Sequence, residues 1–433
     1  MITLQERVHA APKPDDWQLD KLHQVFRVRR GHKNAGMKED NLLSLSYGRI
    51  IQKDIDTADG LLPENFEGYQ IVEPGNIVLR LTDLQNDKRS LRQGLVTQRG
   101  IITSAYDAVE VQRDNDPRFW FYSLLALDLA KHYYSLGGGV RQSVKFADFP
   151  NDWVYRPDLA TQRQIADFLD HETARIDLLI AKKQRLVALL GEKLQSKLEK
   201  SVYIDETKAV PFRRALINIE QGWSPDCETR PKEGDEWGVL KVGCVNGWSF
   251  TAAEHKTLPK DMPPRPELEV GDGDLLMSRA NTPELVGSAA IVKNAESRLM
   301  LCDKLYRLRL DERLLSPSFA LLALRSKKAR LHYSSRANGA SSSMQNISQE
   351  TVRTLPVPLP SLEKQAKVVA EIELEKVHVS ETTNAVNASV DRLKEYRSAL
   401  ITAAVTGQID VQAYAKSGIP DRQLEAIQEE MQA

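Results

Sequence analysis

The feature that most constrains this chain is an internal repeat, in which the second half of the sequence repeats the first. The segment from Pro157 (PDLATQRQIADFLDHE) aligns without a gap on the segment from Pro360 (PSLEKQAKVVAEIELE). Upstream, the glycine-rich SLGGGVRQSVKF from Ser135 stands in the place of SRANGASSSMQNI from Ser335. Such a repeat predicts two copies of one structural unit, and 433 residues is also more than one hydrophobic core usually organises.

Each copy contains two kinds of pattern. Short β-like runs, at residues 77–81, 100–103, 239–242, 289–292 and 305–310, alternate with turns at 74–75 and 271–273. From Leu159 onward the apolar residues recur at the spacing of a helix, and no proline lies between Arg163 and Val202. The sequence therefore predicts an α/β (α+β) fold, in which each copy is a sheet-containing domain followed by a helix of about 40 residues, roughly 60 Å long. The predicted bounds are 1–156 and 205–358 for the domains, 157–204 and 359–410 for the helices, and 411–433 for a C-terminal tail.

The two long helices are expected to pair with each other. The second carries apolar residues at Val368, Ile372, Val379, Val386, Leu393 and Leu400, but its middle, at 380–389, is rich in Thr, Asn and Ser. Because so thin an apolar seam needs a partner, we predict an antiparallel coiled coil of the two helices with internal pseudo-twofold symmetry. The alternative is that each helix packs separately on its own domain.

Composition excludes several classes of protein. With 41% hydrophobic and 27% charged residues the chain is typical of soluble globular proteins, and no run approaches the roughly 18 apolar residues of a membrane span. The first ten residues lack the apolar run of a signal peptide, so a cytoplasmic location is expected. Cys227, Cys244 and Cys302 are widely spaced without a Cys-x-x-Cys pair, which favours buried or idle thiols over a disulfide framework or a zinc site.

The charge of the chain is balanced, with a formal net charge of −1, so any nucleic-acid surface must be local. One basic cluster lies between Arg325 and Arg353, where Glu350 is the only acidic residue. By itself this cluster is best interpreted as a solvated helix face.

Over nearly its whole length the sequence resembles the specificity subunits of type I restriction-modification systems. LPVPLPSLEKQAKVV from Leu355 and YRPDLATQRQIADFL from Tyr155 are similar to the proline-containing strand and the glutamine-containing helix start of that family. RSALITAAVTGQIDV from Arg397 resembles its C-terminal signature, and GDGDLLMSR from Gly271 its mid-domain strand. The first copy departs from the pattern at Arg156 and at residues 196–205.

This resemblance implies two tandem target-recognition domains, each reading a few base pairs in a DNA major groove, and two helices that fix the spacing of an asymmetric bipartite site. The implied partners are double-stranded DNA, two methyltransferase subunits and restriction (translocase/endonuclease) subunits, with no membrane. The exposed helix faces at residues 164–200 and 365–397 are the expected docking surfaces for the methyltransferase subunits. No cofactor is expected on this chain, whereas S-adenosylmethionine, ATP and Mg are expected on the partner subunits.

Candidate DNA-contacting residues lie in the glycine-rich loops and at the ends of two equivalent strands. The loops contribute Gly139, Arg141 and Gln142 in the first copy and Arg336, Asn338, Ser342 and Gln345 in the second, and the strand ends contribute Arg80 and Arg279. Arg suits bidentate contacts to guanine, as Asn or Gln suits adenine. For each residue the alternative is a phosphate contact or a role in loop structure, because phosphate contacts outnumber base contacts in such interfaces.

The familiar catalytic motifs are missing from the sequence. It contains no Asn/Asp-Pro-Pro-Tyr/Phe motif of an adenine methyltransferase, no GxxxxGK[ST] loop and no HExxH. We therefore expect a non-catalytic subunit that recognises DNA. Two alternatives stay open, namely a coiled-coil-linked protein-binding adaptor without DNA contact and a self-contained enzyme with an unfamiliar site.

Overall fold

The structure is a computed structural model, and it describes residues 3–8, 14–55, 65–82, 84, 91–112, 114–136, 143–203, 209–247, 249–341 and 344–429. The helices in these ranges are α1 (Leu4–Val8), α2 (Leu22–Val25), α3 (Pro117–Leu129), α4 (Leu159–Val202), α5 (Pro317–Leu324), α6 (Lys327–Ser334), α7 (Gln349–Arg353), α8 (Leu362–Val405), α9 (Val411–Lys416) and α10 (Ile419–Glu429). The strands are β1 (Gln18–Lys21), β2 (Phe26–Val28), β3 (Leu43–Ser46), β4 (Arg49–Gln52), β5 (Gln70–Val72), β6 (Ile77–Leu79), β7 (Gln93–Leu95), β8 (Gly100–Ile102), β9 (Asp107–Val111), β10 (Trp153–Arg156), β11 (Ala209–Pro211), β12 (Leu216–Gln221), β13 (Gly238–Leu240), β14 (His255–Thr257), β15 (Leu275–Ser278), β16 (Ala280–Asn281), β17 (Ala289–Ile291), β18 (Leu299–Met300), β19 (Leu305–Leu310), β20 (Asn338–Ser341), β21 (Met344–Asn346) and β22 (Pro356–Pro358).

The chain divides into two compact units. Unit 1 consists of Met1–Arg185 and Ala385–Ala433, and unit 2 is Leu186–Asn384. Each unit therefore contains one half of α4 and one half of α8. No helix among the described residues is long and apolar enough to cross a membrane.

Both units are built around a four-stranded antiparallel sheet of the same connectivity. The strand order is β2-β9-β6-β7 in unit 1 and β12-β19-β15-β17 in unit 2. The register corresponds as well, since Ile77 pairs with Leu95 as Leu275 pairs with Ile291. A two-stranded ribbon precedes the long helix in each unit, β1-β10 in the first and β11-β22 in the second. The repeat in the sequence is thus a repeat of strand order and register.

The predicted β-like runs are confirmed as strands β6, β8, β13, β17 and β19. Four of the five strands end one or two residues before the predicted run does, and after β13 residues 242–245 form a short 3-10 helix. A helix packs against the sheet in each unit and begins at a corresponding proline, Pro117 in α3 and Pro317 in α5. Proline suits the first helical position because its missing N–H has no partner there in any case. The preceding residue caps each helix, with Asp116 accepting from the backbone N–H of Arg118 and Ser316 from that of Phe319.

The long helices pair antiparallel, as predicted. In unit 1 the early part of α4 meets the late part of α8, where Arg397 Nε lies 3.0 Å from Asp177 Oδ1. In unit 2 the late part of α4 meets the early part of α8, where Lys197 Nζ lies 2.9 Å from Glu375 Oε2. All six predicted apolar anchors of α8 are buried, namely Val368, Ile372, Val379, Val386, Leu393 and Leu400. Each unit's core therefore includes apolar residues from both helices.

The C-terminal segment after α8 belongs to unit 1. Its helices α9 and α10 bury Val411 and Leu424 in the same core as the first half of α4. Asp421 of α10 also forms an ion pair with Arg175 of α4. The segment predicted as a tail is thus folded on the helix pair over its described residues.

Candidate nucleic-acid interface

A small sheet in unit 2 brings together candidate residues that are far apart in the sequence. Its strand order is β16-β21-β20. Arg279 directly precedes β16, and its carbonyl accepts a hydrogen bond from the backbone N–H of Ile347 at 2.9 Å. Gln345 lies in β21 opposite Asn281, and Asn338 begins β20. The fold therefore places Arg279, Asn338 and Gln345 on one sheet.

The guanidinium of Arg279 is half-buried and keeps most of its donors available. Its Nη1 donates to the carbonyl of Asp303 at 3.3 Å, and its backbone N–H donates to the carbonyl of Lys304 at 2.8 Å. No ion pair of Arg279 with a carboxylate occurs among the described residues. The side-chain partners of Arg279 are thus the carbonyl of Asp303 and Tyr306, and the guanidinium can still donate to an incoming acceptor such as a phosphate or a base edge.

The hairpin from β20 to β21 carries the other described candidates of unit 2. Arg336, just before β20, is exposed and donates from Nη1 to Ser335 Oγ at 3.1 Å. Asn338 is exposed and Gln345 is half-buried. Between them, a Cβ at Gly339 would lie 2.3 Å from the carbonyl oxygen of Met344, so this glycine is needed for the close approach of the two strands.

Unit 1 places Arg80 directly after β6, at the position that corresponds to Ser278 of β15, one residue before Arg279. Its backbone N–H donates to the carbonyl of Arg92 at 2.7 Å, and its guanidinium carbon lies 5.9 Å from the centroid of the Tyr106 ring. The two arginines thus follow corresponding strands but differ by one residue in the register of the sheet. Gly139, Arg141, Gln142 and Ser342 lie outside the described residues.

A groove of about 440 Å³ that the sequence did not point to is lined in part by Asp303, whose carbonyl accepts the hydrogen bond from Arg279. Three lysines line it, Lys241, Lys256 and Lys304. Lys241 Nζ is 3.6 Å from Glu254, whereas Lys256 and Lys304 form no ion pair with a described residue. Lys256 lies in β14, and Lys241 and Lys304 lie in two separate loops, so no local motif reveals them before the fold is known.

Only some residues of the basic cluster between Arg325 and Arg353 form a solvent-exposed face, and others are partly buried in unit 2. Arg325 is half-buried and donates from Nε to the carbonyl of Ala289 at 3.0 Å, and Arg330 donates from Nη1 to the carbonyl of Glu284 at 3.1 Å. Lys327 and Lys328 are exposed, and Lys328 Nζ lies 4.1 Å from the centroid of the Tyr203 ring. Two of the arginines are thus part of the packing of unit 2.

Comparison with known proteins identifies relatives of one kind, although no family model matches the chain. Over 159 residues the chain is 36% identical to the EcoEI specificity subunit of a type I restriction enzyme from Escherichia coli, an alignment that covers 36% of this chain and 27% of the relative. It is 25% identical over 304 residues to the EcoKI specificity subunit of Escherichia coli K12, covering 65% of this chain and 63% of the relative. The StySPI specificity subunit of Salmonella potsdam is 23% identical over 298 residues, and this alignment also covers 65% of this chain and 63% of the relative.

The chain is similar to the specificity subunits of type I restriction enzymes. It spans less than two thirds of the length of each of these relatives. A solved structure from work on complex assembly and conformational transition of the type I restriction-modification system matches with a TM-score of 0.69 at 17% identity, covering 92% of this chain and all of that one. At this identity the structural match supports the fold of the specificity subunit.

The described part of the chain holds no group of three or more His, Cys, Asp or Glu side chains placed to bind a metal ion. Its three cysteines are free thiols. Burial raises the pKa of Cys302 to about 11 and that of Cys244 still further. Both thiols are therefore protonated near neutral pH, which disfavours them as nucleophiles.

Proposed function

We propose that this chain is the DNA sequence-recognition subunit of a type I restriction-modification complex. Each unit reads one half of an asymmetric bipartite site in double-stranded DNA. The observation that carries the proposal is the repeated sheet, in which the corresponding strands β6 and β15 each lead to an arginine with different surroundings. Arg80 directly follows β6 beside Tyr106, whereas Arg279 lies one residue further along in the register of unit 2, next to the small sheet that contains Gln345.

A repeated sheet with different side chains at the ends of its corresponding strands suits a protein that reads two different half-sites. Arg279 and Gln345 offer donors and an acceptor of the kinds that discriminate base edges in the major groove. The groove of Lys241, Lys256 and Lys304 beside Arg279 supplies positive charge for the phosphate backbone. Base reading and phosphate binding thus fall to neighbouring surfaces of the same unit, as DNA recognition requires.

The long helices set the spacing between the half-sites in this proposal. Helix α4 is uninterrupted over 44 residues, which corresponds to about 66 Å of helix. It begins among residues of unit 1 and ends among residues of unit 2. Because one face of B-DNA recurs about every 10 base pairs, the length of a continuous helix between two readers selects the spacer of the site.

The same helices dock two methyltransferase subunits through their faces at residues 164–200 and 365–397. Large apolar side chains stand exposed on these faces, namely Leu178, Leu186, Leu189, Leu374 and Val377. Exposed apolar clusters on a polar helix mark surfaces for a protein partner. The partners carry S-adenosylmethionine, ATP and Mg, restriction subunits join for cleavage, and this non-catalytic subunit acts on DNA in the cytoplasm.

The deciding experiment is single-molecule methylation sequencing of a host that carries this chain and its neighbouring methyltransferase gene. We expect a bipartite methylated-adenine motif that disappears when this gene alone is deleted and returns on complementation. Exchange of residues 1–156 for those of a relative should alter one half of the motif only. An unchanged methylome after deletion would refute the proposal, and absence of DNA retention with the methyltransferase supplied would favour a protein-binding adaptor.

A further inference from the structure

Two tyrosines that correspond in the repeat have different surroundings. Tyr133 in unit 1 and Tyr333 in unit 2 are both fully buried. The hydroxyl of Tyr133 has two acceptors at 3.3 Å, the side-chain oxygen of Gln93 and the carbonyl of Leu124. The hydroxyl of Tyr333 has no hydrogen-bond partner among the described residues. A buried donor without a partner is unusual in a folded protein and calls for an explanation.

The register of the two sheets explains the difference. Gln93 of β7 pairs with Leu79 of β6, and the corresponding position of β17, which pairs with Met277 of β15, is Ala289. The side chain that serves the tyrosine in unit 1 is therefore missing from unit 2. In its place is a partly open cavity of about 190 Å³, lined by Ala289 and Tyr333 among others. This volume is several times the ~30 Å³ that a water molecule occupies in the liquid.

The cavity is also positively charged. Arg325 and Arg330 line it, and no carboxylate does among the described residues. Nη2 of Arg330 is buried without a hydrogen-bond partner. Burial lowers the pKa of Arg330, and it lowers that of Arg325 to about 10, with Glu373 acting in the opposite direction on Arg325. Burial thus disfavours the charged form of both guanidiniums, and an anion bound in the cavity would offset that cost in free energy.

The two arginines are specific to the second copy of the repeat. At the offset that relates Tyr133 to Tyr333, Arg325 corresponds to Leu125 and Arg330 to Ala130. The second copy has therefore gained two guanidiniums around the position where it has lost the glutamine. At this place the second copy lacks a neutral hydrogen-bond partner of the tyrosine and carries two additional cations. This is the change expected for an anion-binding site.

We propose that this cavity of unit 2 binds a phosphate group through the hydroxyl of Tyr333 and the guanidiniums of Arg330 and Arg325. Tyr333 and Nη2 of Arg330 donate hydrogen bonds to the phosphate oxygens. Charge-assisted bonds of this kind are roughly twice as strong as neutral ones. Inorganic phosphate and a phosphodiester of the DNA backbone share the required chemistry.

The test uses the full-length chain and titrates inorganic phosphate, at ionic strength held constant with NaCl, while heat of binding and Tm are measured. The wild-type chain should bind one phosphate in unit 2 with a saturable rise in Tm. Ala289→Gln places in unit 2 the side chain that fills the position in unit 1, so it should fold and lose phosphate binding. Tyr333→Phe should weaken binding about tenfold. Ser334→Ala, at an exposed position of α6, should bind as the wild type does.

Two results would overturn the proposal. The first is that phosphate stabilises the wild-type chain no more than chloride does, as expected if water alone fills the cavity. The second is that the Ala289→Gln variant binds phosphate as tightly as the wild type.

A DNA-binding measurement with the methyltransferase partner then distinguishes the sources of phosphate. If Ala289→Gln weakens binding to unrelated DNA sequences equally, the ligand is the DNA backbone, and if DNA binding is unchanged while phosphate binding is lost, it is a free phosphate compound. The phosphate titration contains no DNA, so its outcome is independent of the proposed function.

Discussion

The side chain of Gln162, near the start of α4, accepts a hydrogen bond at its Oε1 from the backbone N–H of Asp116, which caps α3, at 2.9 Å. Its Nε2 donates to the carbonyl of Pro157 at 2.8 Å. Gln365 makes the same pair of contacts in unit 2, with Ser316 N–H at 2.9 Å and the Pro360 carbonyl at 2.9 Å. In both units a fully buried glutamine thus ties the long helix to the capped helix of the domain before it.

Loss of this side chain should destabilise the unit that contains it. Gln162→Ala leaves the buried N–H of Asp116 and the carbonyl of Pro157 without their partners, at a cost of about 2–3 kcal/mol. The expected result is a lower Tm, measured by circular dichroism or calorimetry. Gln164→Ala, two residues along the same helix at an exposed position, is the matched control and should leave Tm unchanged. Equal Tm values for the two variants would contradict this role.

The matched glutamines also show what could be predicted from the sequence. Pro157, Gln162 and their counterparts stand out in the alignment of the two halves, and they lie where each long helix joins its domain. Hydrophobic spacing likewise predicted the buried anchors of α8. It failed in part for α4, where Leu186 has the required spacing but is 40% exposed, because burial in unit 2 shifts to Leu194 and Leu198.

The composition of the candidate interface was harder to predict. Arg279 and Gln345 are neighbours only because β16 pairs with β21, and Lys241, Lys256 and Lys304 meet only in the folded unit. These contacts join residues distant in the chain, so neither periodicity nor local motifs encode them. The cavity lined by Ala289 and Tyr333 was equally hidden, since it depends on Ala289 occupying the position at which the first copy has Gln93.

An ion pair in unit 2 should make stability depend on pH in the acid range. Arg230 contacts Glu236 through both terminal nitrogens, at 2.7 and 3.0 Å. These bonds lower the pKa of Glu236 from 4.5 to about 2. Because the pKa is lower in the folded chain, the stabilisation is fully present above pH 4.5 and is lost as pH falls toward 2.

Glu236→Gln should therefore lower Tm at neutral pH, and the difference from the wild type should shrink as pH falls through this range. Thermal unfolding measured at a series of pH values checks the expectation. Glu312→Gln, at an exposed position of the same unit, should follow the wild-type curve throughout. A difference for Glu236→Gln that stays constant with pH would show that the ion pair is not responsible.

If the groove lined by Lys241, Lys256 and Lys304 binds the DNA backbone, changing its lysines should reduce the salt dependence of DNA binding. If Lys256 and Lys304 each contact a phosphate, the variant with both changed to Gln releases two fewer counterions on binding. The slope of log K against log salt should then fall by about 1.8 in magnitude, and affinity should fall equally for specific and unrelated sequences. Binding titrations at several salt concentrations, with the methyltransferase partner present, measure both.

Lys260→Gln is the matched control for the groove, because this lysine is exposed and lies outside its lining. It removes one positive charge from unit 2 and should leave the slope unchanged. A double variant with the wild-type slope would exclude the groove as a phosphate contact. A loss confined to one DNA sequence would instead indicate base reading.

The arginines that follow the corresponding strands β6 and β15, Arg80 and Arg279, should affect different halves of the recognition site. Arg279→Ala removes donors beside Gln345 in unit 2, and Arg80→Ala removes the guanidinium next to Tyr106 in unit 1. A lost bidentate base contact costs about 1–3 kcal/mol of discrimination at one position. Methylation sequencing should therefore show one half of the motif relaxed by Arg279→Ala and the other half by Arg80→Ala.

Arg313→Ala separates this effect from a general loss of charge, because Arg313 of unit 2 is exposed and paired with Asp311 at 2.8 Å. The methylated DNA motif obtained with the Arg313→Ala variant should equal that obtained with the wild type. If Arg279→Ala weakens methylation at all sites without changing the motif, Arg279 contacts phosphate rather than a base. Relaxation of both halves by a single variant would contradict the assignment of one half-site to each unit, since each arginine is held by contacts within its own unit.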